Sequence, residues 1–144
     1  MGYYSQVGVT TTKKGWEKIQ ELAPKFYAEA IEEYKKKGAT ESTFGENYIE
    51  LGNTLISKVF DLKPQKVTEK DGNVLLTWDY IKWIGYDFED KKAYQKAFEE
   101  CGEFVRECAV GEDGMEEMHE YNDDKEPEGF PYVGTYSGID IDAF

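Results

Sequence analysis

The chain has 144 residues, a formal net charge of −13, 40% hydrophobic and 15% aromatic residues, and two cysteines. That length can bury one core without disulfides or a structural metal, and the apolar content excludes a wholly disordered chain. No run nears the roughly 18 apolar residues of a membrane helix, and Met1 to Thr12 lacks the regions of a signal peptide, so a soluble cytoplasmic protein is expected.

Tyr3 to Thr12 is rich in aromatic and β-branched residues and reads as a strand. Thr12 can cap a helix carrying Trp16, Ile19, Leu22 and Ala23, with a kink or a new helix at Pro24, where a backbone donor is lost. Phe26, Tyr27, Ala30, Ile31 and Tyr34 continue at helical spacing, Lys35 to Lys37 suit the negative end of the dipole, and Gly38 ends the helix. Residues 39–46 read as a loop. Tyr48, Leu51, Leu55 and Val59 then fit one helical face, but Gly52 weakens a helix, and residues 44–60 stay open between helix and strand.

After Pro64, Lys66 to Lys70 and Asn73 to Trp83 flank Asp71-Gly72, a dipeptide suited to a tight hairpin turn. The second arm is apolar on both faces, which predicts a central strand with Trp78 and Tyr80 on one face and Ile81 and Trp83 on the other, all as core. Asp87 is the expected cap of a helix with an apolar stripe of Tyr94, Ala97, Phe98 and Cys101, stopped by Gly102. Phe104 to Val110 and Met115 to Tyr121 flank Asp113-Gly114 and form a second hairpin. Residues 122–131 are an acidic, Pro-containing loop, and Tyr132 to Phe144 offers a last strand through Tyr136, Ile139 and Ile141. The expected fold is therefore α+β: a mainly antiparallel sheet of about 4–6 strands with helices on one face, in a single domain spanning residues 1–144.

Charge divides this domain. Residues 1–80 are near neutral and residues 81–144 hold eighteen acids against six bases. Within 99–128 there are thirteen acids against Arg106 and Lys125. The candidate partner-binding residues are Glu99, Glu100, Glu103, Glu107, Glu112, Asp113, Glu116, Glu117, Glu120, Asp123 and Asp124.

Signatures of catalysis are missing, and the expectation is that the protein is not an enzyme and needs no cofactor. A single histidine, His119, excludes sites that need two, and it sits among acids where an imidazole on the surface is expected. Cys101 and Cys108 form no CxxC pair and read as reduced, buried small hydrophobes. No GxxxxGK[ST], GxGxxG or GxSxG motif occurs, and neither Glu112-Asp113-Gly114 nor Asn122-Asp123-Asp124 has the register of an EF-hand, so no metal site is expected. One Arg among 17 basic residues argues against direct nucleic-acid binding.

Carboxylates held on a rigid scaffold can instead compete with phosphates for a basic groove, as a DNA mimic does. The acidic, Tyr- and Trp-rich chain with its Met1-Gly2-Tyr3-Tyr4-Ser5 start resembles small phage-encoded proteins. Its acidic half, with Trp78 to Trp83 and Arg106 to Asp113, is similar in character to phage inhibitors of host defence nucleases, the anti-CRISPR and anti-restriction proteins. The resemblance implies the host-cell cytoplasm and a basic host protein, a CRISPR-associated or restriction nuclease, as partner. It carries over no catalytic residues. The alternatives are an assembly protein that forms a homodimer or binds a non-nuclease partner, and a small-ligand binder with a pocket near Tyr and Trp residues.

Overall fold

The computed structural model describes residues 2–134 and 138–144. Its order is β1 (Ser5–Thr12), α1 (Lys13–Lys36), β2 (Thr40–Glu41), β3 (Tyr48–Leu51), β4 (Thr54–Ser57), β5 (Lys66–Lys70), β6 (Asn73–Ile81), α2 (Glu89–Glu100), β7 (Val105–Gly111) and β8 (Glu116–Tyr121), with 3₁₀ turns at Asp123–Lys125 and Ile141–Ala143. The fold is α+β. Five strands form an antiparallel sheet in the order β5-β6-β1-β7-β8, and β2-β3-β4 form a second, small sheet. No helix is long and apolar enough to cross a membrane among the described residues.

Both predicted Asp-Gly hairpins form. Asp71 and Gly72 take φ of 54° and 80°, the pair of positive values a two-residue hairpin turn needs. β6 lies between β5 and β1, as its two apolar faces require. Strand β1 runs into α1 without a linker because Thr12 both ends the strand and caps the helix, its Oγ1 accepting from Gly15 N at 3.0 Å.

One face of the large sheet carries Val7, Val9, Val74, Leu76, Trp78, Val105 and Ala109, and both helices cover it with Ile19, Leu22, Ala23, Tyr94, Ala97 and Phe98. On the other face Leu75, Cys108 and Val110 are covered by Val133, Ile139 and Phe144 of the irregular C-terminal segment. The small sheet packs Ile49 and Ile56 against Tyr27, Ile31 and Ala93.

The structure corrects four expectations and decides one alternative that the sequence left open, at residues 44–60. Helix α1 continues through Pro24, so no new helix starts there. Pro24 and Gln20, whose carbonyl loses its helical partner to the proline, are both on the exposed side of the helix. Residues 48–57 are a hairpin: Gly52 turns the chain at φ 60°, and the buried pair is Ile49 opposite Ile56, while Tyr48, Leu55 and Val59 of the supposed helical stripe are exposed. Phe88, not Asp87, is the N-cap of α2, with no side-chain cap; the Asp90 carboxylate accepts from Lys91 N at 2.9 Å instead. Residues 132–134 and 138–144 form no strand. Their backbone is held singly, as where Ile139 N donates to Gln6 Oε1 at 2.8 Å, and Tyr136 of the expected strand lies outside the described residues. Finally, strict alternation fails in β6. The register with β1 shifts between Ser5 and Val7, and Tyr80 takes φ 56°. This bulge puts Trp78 and Trp83 together in the core, ring centroids 5.9 Å apart, and turns Tyr80 out to 68% exposure.

Candidate interaction surface

The eleven acids chosen from the sequence do not share one surface. Strand alternation on β8 places Glu116 and Glu120 on the face covered by the C-terminal segment, and Glu117 on the helix face beside His119, 3.8 Å away. Glu99 and Glu100 end α2, Glu112 and Asp113 form the β7–β8 turn, and Asp123 and Asp124 lie in the 3₁₀ turn that follows β8. Several of them already have partners within the fold. Glu103 accepts from Thr12 Oγ1 at 2.8 Å. Glu120 pairs with Arg106 Nε at 2.7 Å. Contrary to the sequence expectation, Glu107 is 2% exposed and cannot meet a partner.

Glu107 was misjudged because its neighbours along β7 alternate between faces, and its own face points under the helices. There its carboxylate accepts from Trp83 Nε1 at 2.9 Å, Tyr121 OH at 2.7 Å and Gln95 Nε2 at 3.2 and 3.3 Å. Burial and the nearby Glu107 charge push the Tyr121 phenol far up. Arg106, its neighbour, points to the opposite face. It is enclosed by the rings of Phe104, Phe130 and Tyr132, and it also reaches Glu126 at 3.3 Å and Pro131 O at 3.2 Å.

At the hairpin tip the exposed acids are tied to the N-terminal segment. Glu112 Oε1 accepts from Tyr4 N at 2.6 Å, and Asp113 Oδ1 accepts from the Tyr3 hydroxyl and from Met115 N. The Tyr3 hydrogen bond holds the Asp113 carboxyl below its ordinary value. At the end of α2, by contrast, Glu99 and Glu100 stand where the helix dipole is negative and no base occupies the last turn. Helix stability favours Lys there, as Lys35 and Lys36 of α1 illustrate.

Beside the tip lies an aromatic group that sequence reasoning missed. Tyr4 and Tyr80 stack at 4.1 Å and 9°, Tyr86 and Phe88 at 5.1 Å and 18°, and the Lys82 ammonium sits 6.0 Å from the Tyr4 ring and 5.8 Å from the Tyr86 ring. A tyrosine in left-handed conformation leaves no mark in a sequence. The legible signal was that Tyr86 and Phe88 belong to no apolar period.

Elsewhere a half-open apolar cavity of about 580 Å³ lies between α1 and the loop before β5, lined by Trp16, Ile19, Ala23, Phe60, Val67 and Tyr94. Cys101 and Cys108 are buried, and burial raises both thiols, Cys108 to about 11, which makes them poor nucleophiles. No group of three His, Cys, Asp or Glu side chains is arranged to hold a metal ion among the described residues. Comparison of the chain with protein-family models, with curated proteins and with solved structures finds no match.

Proposed function

We propose that the chain is a non-enzymatic binding protein that docks its acidic β7–β8 hairpin on a basic protein surface, and that it acts as an inhibitor by covering the nucleic-acid groove of a nuclease. A nuclease of host defence, anti-CRISPR or anti-restriction in type, is the class of target. The observation that carries this reading is the pair Glu112 and Asp113: exposed carboxylates already fixed by Tyr4 N and the Tyr3 hydroxyl, so that little side-chain entropy remains to be lost on binding. Because the other acids divide between faces, the docking surface is the hairpin end and not the whole of residues 99–128. Like charges along the β8 edge also disfavour a homodimer through that edge.

The test is capture from a host lysate at low and high salt, with Glu112, Asp113, Glu116 and Glu117 changed to Lys in a parallel sample, followed by competition with DNA for the captured protein. Binding should fall about tenfold or more in salt and be lost in the variant. A main partner that survives both treatments, or one that DNA does not displace, overturns the reading.

The cavity lined by Trp16, Phe60 and Tyr94 favours a second reading, a carrier of a small apolar ligand, since its size falls within the range of ligand sites. Saturable quenching of tryptophan fluorescence by a medium-chain fatty acid, abolished by Ala23→Trp, would support it; no change in fluorescence would refute it.

A further inference from the structure

The bulge in β6 holds a bulky side chain in a backbone region that favours glycine, and the effect is to move a ring out of the core into solvent. The exposed ring is held rigidly, because Tyr4 lies flat against it. Against this stack is a shallow pocket of about 240 Å³ whose lining includes Tyr4, Gln6, Tyr80, Val110 and Glu112. An aromatic face and a carboxylate therefore meet in one small concavity.

We infer that this pocket receives an arginine side chain of the basic partner, its guanidinium flat on Tyr80 and its N–H groups on Glu112. The inference rests on the proposal that the partner is a basic protein. Three features select arginine. The guanidinium is planar and weakly hydrated, so it stacks on a ring while its edge donates two hydrogen bonds to a carboxylate. The same ring system already holds a cation on its other side, with Lys82 between Tyr4 and Tyr86. The charge at the pocket, from Glu112 in its lining and Asp113 beside it within a chain of net −13, repels a nucleobase carrying phosphate, although the ring would otherwise suit one.

Oligo-arginine and oligo-lysine peptides of equal length separate stacking from general attraction, with binding read by fluorescence anisotropy at fixed salt. Wild-type protein should bind the arginine peptide about fivefold more tightly. Tyr80→Gly should erase that preference and leave the affinity for oligo-lysine unchanged. Glycine accepts φ 56°, so its thermal midpoint should not fall; Tyr80→Asn, which also tolerates that conformation, serves as the second variant. Glu112→Gln should weaken the arginine peptide more than the lysine peptide. Equal affinities in the wild type, or a preference that survives both Tyr80 variants, overturn the arginine pocket and leave the acidic docking surface standing. Failure to bind either peptide overturns the basic-partner reading itself. Tyr80-dependent binding of a neutral oligosaccharide in place of the arginine preference would reassign the ring to a sugar and refute the inference.

Discussion

Replacing Glu107 tests whether a buried carboxylate can be held by neutral donors alone. Its two oxygens satisfy three side chains, and no cation is among them. In Glu107→Ala the indole N–H of Trp83, itself 1% exposed, is left without an acceptor and out of reach of water, at about 1–3 kcal/mol. Tyr121 and Gln95 are half-buried and recover part of their loss from solvent, while the space left by the side chain adds a packing term. The sum is a destabilisation of about 3–4 kcal/mol. Glu107→Gln should cost no more than about 1 kcal/mol, because the amide oxygen still accepts from Trp83 and Gln95 and its nitrogen can donate to the Tyr121 oxygen. Urea denaturation followed by circular dichroism and tryptophan fluorescence measures both. An Ala variant that loses less than about 1 kcal/mol, or a Gln variant as unstable as Ala, would refute the account of Glu107 as an acceptor hub. Binding of basic peptides by folded Glu107→Gln should equal that of the wild type, which distinguishes this residue from Glu112.

Thr10 Oγ1 is buried on the face covered by the C-terminal segment and has no partner among the described residues, so the near-isosteric Thr10→Val should stabilise the fold by about 1 kcal/mol, seen as a rise of about 3 °C in the thermal midpoint. Arg106→Lys cannot reach Glu120, Glu126 and Pro131 O together or stack between three rings; a loss of about 2 kcal/mol and faster proteolysis within residues 122–131 should follow. At high pH, burial raises Cys108 from 9.0 to about 11 and Tyr27 from 10.0 to about 12 in the folded state. The native protein thus keeps these protons longer than the unfolded chain does, a contribution intact below pH 9 and lost as pH rises through 11 to 12; denaturant midpoints measured from pH 8 to pH 12 should fall across that window.

Local chemistry was the legible part of this sequence. Asp71-Gly72 announces its hairpin because few dipeptides tolerate two successive positive φ values, Asp113-Gly114 announces the other because Gly114 takes the one positive φ its longer turn needs, and Thr12 announces its helix through one hydrogen bond three residues away. The hairpin of residues 48–57 was ambiguous because its four-residue strands are too short to show alternation, and Gly52 weakens a helix and makes a turn equally well. What could not be read depends on tertiary placement. Nothing local tells Glu107 from Glu103 or Glu112: one lies beneath two helices, one bonds a cap residue, one stands in solvent. The bulge at Tyr80 depends on how β1 meets β6 across many intervening residues, and the aromatic group built on it was hidden for the same reason.

The strand order has a kinetic consequence. β1 sits between β6 and β7, yet it comes first in the chain, and Thr12 pairs with Asn73 while Thr11 pairs with Val105. The hairpins β5–β6 and β7–β8 need only short turns and can close on the microsecond scale, whereas setting β1 between them closes two long loops. The halves of the sheet therefore form first, each with one unpaired inner edge, and the N-terminal strand is the wedge that joins them. Until it arrives, β6 and β7 expose unpaired backbone edges between apolar side chains that could pair between molecules, so the placement of β1 governs whether the last stage of folding ends in a monomer or an aggregate.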